Sequence, residues 1–305
     1  MATIGTLVLG FMLCLLVMVP DSVKGRNLDE GAYVVPTNPE EGSYFQGDIR
    51  FPPEIEDQIN RGALNLSKYR GNKWTNGIVP YVIDPAAGFG KCTNRLGNSD
   101  SCVGVPYVID PAAGFDALEL ATIQNAMAEY HSKTCIQFVV RTDQANYLRF
   151  IKDVGCYSYI GRIPSFTTGQ KISLPGGCLY YSYSNGNRVP FLGTAIHEMM
   201  HAIGFFHEQS RPDRDDYVTI HWENIRPDTE GNFQKETESV IDSLGSPYDY
   251  NSVMHYPRRA FLKPGLPWNA TTISPNPPHE NVTIGQRVGF STEDIYQINR
   301  LYSCN

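Results

Sequence analysis

His197-Glu198-Met199-Met200-His201-Ala202-Ile203-Gly204-Phe205-Phe206-His207 is the stretch that decides how this chain is read. On an α-helix, residues four apart share a face, so His197 and His201 can aim two imidazoles at one metal ion. Gly204 stands where that helix must stop, because glycine tolerates the positive φ common at a helix C-terminus. The chain can then turn and bring in His207 as a third ligand. Glu198 sits beside the first ligand, placed to reach a metal-activated water without ligating the metal. Three histidines leave one coordination position open, which is the layout of a catalytic zinc site. The chain has seven histidines in 305 residues, and three fall in this window. That concentration argues against a helix whose histidines merely pack in a core. A structural zinc module would use four protein ligands, usually with cysteine.

The flanks place the chain in a compartment. An apolar run from Ile4 to Val19 ends at Pro20-Asp21. It is short for a membrane span and N-terminal, so residues 1–25 are expected to be a secretory signal peptide cleaved near Ser22 to Gly25. The segment before the run carries no Lys or Arg, a departure from the usual pattern. An uncleaved anchor is the alternative, and stable membrane association is not expected. Net charge is −7 without a basic cluster, which excludes nucleic acid as a partner class. Acceptor triplets at Asn65-Leu66-Ser67, Asn269-Ala270-Thr271 and Asn281-Val282-Thr283 agree with export. Cys14 falls in the signal peptide, and Cys92, Cys102, Cys135, Cys156, Cys178 and Cys304 remain. An even number in an exported chain implies disulfides, with fifteen connectivities open.

Residues 26–61 are polar and rich in Pro, Gly and acidic groups, with no sustained period. They are expected to be a pro-segment, followed by a domain from 62 to 305. Trp74 to Asp84 reads as a strand, as do Ile136–Val140, Tyr147–Ile151 and Lys171–Leu174. Residues 116–132 read as a core helix, with Leu118, Ala121, Ile123, Met127 and Tyr130 near one face. Ser291 caps a last helix ending near Tyr302, with Glu293 and Asp294 in its first turn. Between these the second half lacks regular periodicity. Residues 79–89 recur identically as 105–115. Only one copy can take a given sheet position, so 79–115 holds a duplicated strand segment.

Ser252-Val253-Met254-His255-Tyr256 adds a methionine turn downstream of the zinc motif. The pair of motifs resembles the metzincin metallopeptidases. Glu208 after the third ligand, Arg211-Pro212-Asp213-Arg214-Asp215, and His-Tyr directly after Met254 narrow the resemblance to the astacins, over roughly residues 74 to 304. It implies an α+β, zincin-like, two-lobed metallopeptidase. Its N-terminal lobe would hold a twisted mixed sheet and two long helices, and its C-terminal lobe would be irregular. The form would be a minimal one without accessory domains. It implies one zinc ion per chain, held by His197, His201 and His207. Glu198 would be the catalytic acid–base, Tyr256 the oxyanion donor, and Met254 a hydrophobic floor beneath the ligands. His255 receives no chemical role.

The resemblance also selects Cys135–Cys304 and Cys156–Cys178 as disulfides. Cys92 and Cys102 have no counterpart in the family pattern and are left to pair with each other. Phe45-Gln46-Gly47-Asp48-Ile49 resembles the family's latency motif, which makes Asp48 a zinc ligand in the pro-form, although a Gly-Asp turn would also give this stretch. Cleavage after Arg61 would create a mature N-terminus at Gly62, whose α-ammonium would pair with Glu208. Lys171–Leu174 would be the sheet edge that pairs with substrate. The implied function is a secreted, latent zinc metalloendopeptidase acting on extended protein or peptide substrates, with its own pro-segment as an internal partner. A catalytically inactive secreted binding protein of the same fold is the alternative.

Overall fold

In a computed structural model, residues 46–52, 73–74, 103–182 and 186–304 can be described. The signal peptide, Arg61, Gly62, the first copy of the repeat, Cys92, Cys102 and the Asn65 triplet lie outside the described residues. Among the described residues no helix is long and apolar enough to cross a membrane.

The elements in chain order are β1 (Ile49–Arg50), β2 (Val103–Ile109), α1 (Ala117–Lys133), β3 (Ile136–Val140), β4 (Leu148–Ile151), β5 (Ser158–Tyr159) and β6 (Gln170–Ser173). There follow β7 (Tyr180–Ser182), β8 (Arg188–Pro190), α2 (Gly193–Ala202), β9 (Val218–Ile220), β10 (Ile273–Pro275) and α3 (Thr292–Tyr302). Asp116 starts α1 through a reciprocal capping box with Glu119. The buried stripe of α1 runs Glu119, Thr122, Ile123, Ala126, Met127 and Tyr130. Ala121, expected on that face, is exposed, because it falls on the opposite side of the 3.6-residue period.

Strands β3-β2-β4-β6 form one sheet, and every pairing in it is parallel. Antiparallel pairing enters through a Tyr157–Ser173 bridge beside β6, through the β7–β8 ribbon, and through β9–β10. The central strand β2 is the second copy of the repeat, not the Trp74–Asp84 stretch that reads equally well as a strand. Trp74 itself is buried and donates its indole N–H to the Ala202 carbonyl at 3.0 Å. One apolar core joins the sheet, α1 and α2, and includes Met254 and Ile298. A second core, built from Val218, Phe233, Tyr256, Phe261 and others, fills the irregular half. This is the expected two-lobed α+β arrangement.

Cys135–Cys304 and Cys156–Cys178 are both formed. The first ties the end of the chain to the start of β3. Lys171–Leu174 overlaps β6, which is the end strand of the four-stranded sheet as expected, but its outer side is not open at every residue. Tyr157 exchanges backbone hydrogen bonds with Ser173 at 3.2 and 2.9 Å, which covers that position. The strand that receives an extended segment is β5, and its occupant is β1, in parallel register with Ile49 opposite Ser158.

Candidate active site

Helix α2 is buried along its whole length, so both of its histidines are fixed by packing. Tyr130 of α1 anchors it by donating its hydroxyl to the Ile196 carbonyl at 2.8 Å. The helix ends where expected, and Gly204 has φ of 110°. That turn swings His207 back towards the helix.

The three imidazoles converge. His197 Nε2 lies 3.1 Å from His201 Nε2 and 3.3 Å from His207 Nε2. Each Nδ1 faces an acceptor: the Val253 carbonyl for His197 at 2.8 Å, the Phe205 carbonyl for His201 at 2.7 Å, and the Gln46 side-chain oxygen for His207 at 3.0 Å. An Nδ1–H donating to such an acceptor leaves the Nε2 lone pair aimed inward, the tautomer that a metal needs. Asp48 occupies the fourth corner, with carboxylate oxygens 3.1 Å from His197, 3.2 Å from His207 and 3.6 Å from His201. Ligand atoms of all four side chains lie within 4.8 Å of one another. Ligands about 2.05 Å from a common centre at tetrahedral angles stand about 3.3 Å apart, so the set fits one zinc ion.

Electrostatics support the same state. Burial would raise the Asp48 carboxyl, but its contacts with His207, His197 and His201 outweigh it and hold it well below the usual carboxylate range. Burial pushes His207 down to about 3. A carboxylate, and an imidazole whose inward nitrogen is free of its proton, are the forms in which these side chains bind a metal.

Glu198 is fully buried on α2 next to His197. Met254 is buried in the same core, and its carbonyl accepts from the Glu208 N–H at 3.1 Å. Tyr256 lies with its ring 4.7 Å from that of His207, and its hydroxyl donates to the Gln46 carbonyl. Glu208 is held by Arg211 at 3.1 Å and by the Asp249 N–H at 2.8 Å, yet burial pushes its carboxyl up to about 8. It lines a cavity of about 240 Å³, together with Lys73, Phe206 and Leu244.

Three residues to which the motifs assign no role in the site hold this arrangement. Asp294, read only as an acid in a helix first turn, accepts from Ser252 Oγ at 2.7 Å and from the Val253 N–H at 3.0 Å. It thereby fixes the carbonyl that orients His197. Its signal in the sequence is the capping box at Ser291, where it is also the reciprocal acceptor. His255 gains a positioning role, with Nε2 at 2.8 Å from the Tyr248 hydroxyl and Nδ1 at 2.8 Å from the Tyr256 carbonyl. Burial pushes it down to about 4. Gln46 is the third, and it touches His207, Ser210, Glu236 and Tyr256.

The family model described as Astacin (Peptidase family M12A) matches residues 98–303. The chain belongs to the astacin family. Zinc metalloproteinase nas-4 of Caenorhabditis elegans is 34% identical over 275 residues, covering 88% of this chain and 72% of the relative. Zinc metalloproteinase nas-13 of the same organism is 46% identical over 183 residues, covering 60% of this chain but only 36% of the relative. The solved structure of high choriolytic enzyme 1, a hatching enzyme zinc-protease from Oryzias latipes, matches with a TM-score of 0.57 and 40% identity. That match covers 68% of this chain and 93% of the solved one. Astacins use zinc, and His197, His201, His207 and Asp48 are the residues here that can hold it. The matched region begins near residue 98 and so includes the second copy of the repeat as its first strand.

Proposed function

We propose that this astacin is a secreted zinc-dependent metalloendopeptidase made as a latent pro-form. The observation that carries the reading is Asp48, drawn from outside the catalytic region and seated against three inward-facing histidine Nε2 atoms. Zinc held there would supply Lewis acidity, lowering the pKa of water and polarising a carbonyl. The chain's own groups do the rest. Glu198 accepts the proton of water as the water oxygen attacks the scissile carbonyl, then passes it to the leaving amine as the C–N bond breaks. Tyr256 donates to the oxyanion of the tetrahedral intermediate once Gln46 has left its hydroxyl. Strand β5 offers an extended substrate the backbone groups that β1 now uses, of which the Ser158 N–H to Asp48 carbonyl bond, at 3.0 Å, is one.

Activation follows from the same contacts. Cleavage after Arg61 frees residues 46–52 to leave the cleft and creates an α-ammonium at Gly62. That cation would enter the cavity beside Glu208, where a buried carboxyl gains from a positive partner. Secretion is supported by the apolar N-terminal run and the two disulfides.

The test is hydrolysis of a quenched fluorescent peptide by zinc-loaded protein before and after limited proteolysis at Arg61. Activity after cleavage and none before it is expected. Equal activity in both forms contradicts latency, and none in either contradicts the peptidase reading.

A further inference from the structure

Gln46 is completely buried although it belongs to the pro-segment. Its φ is 47°, a left-handed conformation that a non-glycine residue holds only when its surroundings over-determine it. Those surroundings are polar and matched. Its side-chain oxygen accepts from Ser210 Oγ at 2.8 Å and from His207 Nδ1 at 3.0 Å. Its amide nitrogen donates to Glu236 Oε1 at 3.3 Å. The contacts fix the orientation of the amide, because a carboxylate can only accept and a donor faces the other atom.

Glu236 is 9% exposed in this latent form, and its own backbone N–H is tied to the Ser210 carbonyl at 2.8 Å. Among the described residues no cation lies within ion-pair distance of its carboxyl. Burial pushes that carboxyl up to about 7, so a cationic partner would be welcome there. Departure of the pro-segment uncovers a polar pocket beside the third histidine, with a hydroxyl and a carboxylate on its wall. The catalytic scheme above uses neither group.

We propose that Glu236 and Ser210 form a side-chain subsite of the cleft that selects long substrate side chains ending in N–H donors, with Lys and Arg ahead of Gln, and that Gln46 fills it during latency. This rests on the reading of the chain as an endopeptidase. Gln46 stands two residues before Asp48, so the selected substrate residue lies within about two residues of the scissile bond. Gln46 is then a product-like occupant: it satisfies the hydroxyl and the carboxylate without bringing a charge, and so leaves readily.

The experiment is a cleavage-site profile of the activated full-length enzyme on a random peptide library. Peptide pairs differing by Lys against norleucine at the enriched position then give the kcat/KM ratio. A buried donor–carboxylate contact predicts a ratio of about tenfold or more. Glu236→Gln should bring the ratio close to one, and Glu236→Lys should turn the preference towards acidic side chains. Ser210→Ala, which removes only a hydroxyl, should lower the ratio severalfold and stands in if a Glu236 variant does not fold. Cleavage without a preference for N–H donors near the scissile bond overturns the subsite, as does a preference that these variants leave unchanged. Absence of any cleavage by zinc-loaded, processed enzyme overturns the peptidase reading and the subsite with it.

Discussion

Replacing Asp48 by alanine should unlock the pro-form, and the structure sets the size of the effect. Asp48 places two oxygens 3.1 to 3.6 Å from three histidines and is fully buried. The remaining hold of residues 46–52 includes two residues of β1 on β5, the Gln46 contacts, the Arg50 guanidinium over the Tyr157 and Tyr159 rings, and the buried side chains of Ile49 and Phe51. Removing one partner of a buried charged contact costs roughly 3–5 kcal/mol. That shifts the equilibrium between closed and open cleft by about a hundredfold to a few thousandfold. The assay uses a pro-form carrying Arg61→Gln, so that it cannot be processed there, loaded with zinc and given a fluorogenic peptide. Asp48→Ala in that background should hydrolyse the peptide measurably, while Asp48→Asn, keeping one weak oxygen ligand, should lie between it and the parent. A zinc-loaded Asp48→Ala pro-form as silent as the parent would refute the reasoning, since coverage of the cleft would then suffice without the carboxylate.

Other consequences are as testable. Tyr256→Phe should keep zinc and fold while lowering kcat by about a hundredfold, the usual cost of one oxyanion donor; a change confined to KM would reassign it to binding. Asp294→Ala removes the acceptor of Ser252 Oγ and of the Val253 N–H, and should weaken zinc affinity by about 10–100-fold, as loss of support behind a ligand does; competition with a chelator measures it. Glu236 has a carboxyl raised by burial to about 7, so it binds more protons folded than unfolded, and stability falls as pH rises from about 4.5 through 7. The melting temperature of the pro-form should therefore fall less steeply over that window in Glu236→Gln. Deleting residues 79–104 joins Ile78 to Val105 and keeps Val105–Ile109 of β2, with Gly77 and Ile78 replacing Val103 and Gly104, so the shortened chain should fold and cleave peptide at least as well, with less aggregation on heating. An unfolded deletion variant beside a well-behaved parent would mean that both copies are structural.

The metal site was the most legible part of the chain, because helical spacing and a helix-ending glycine are local signals. His197, His201, Gly204 and His207 sit as that spacing requires. The last helix was equally readable, since its capping box lies within four residues. What escaped depends on partners distant in sequence. Gln46 acquires its role from Ser210 and Glu236, more than 160 positions away. Strand β5 is two residues long and shows no alternation, whereas Lys171–Leu174 alternates polar and apolar residues and reads as a strand; its role as the substrate-pairing edge rests on the family resemblance and not on that pattern. The two copies of the repeat have identical propensity, so only their surroundings could choose between them. The neighbour of the second copy is the turn into α1, where Asp110 and Arg149 pair across β2 and β4.

The measurement that bears most directly on the central claim is zinc content and peptide turnover of the processed chain beside its Glu198→Gln variant. The account predicts one zinc per chain in both, with hydrolysis by the parent that a chelator abolishes and added zinc restores. It predicts turnover by Glu198→Gln lower by about a hundredfold to ten-thousandfold, with zinc retained. Near-normal turnover by zinc-loaded Glu198→Gln, or hydrolysis that survives removal of the metal, would contradict it.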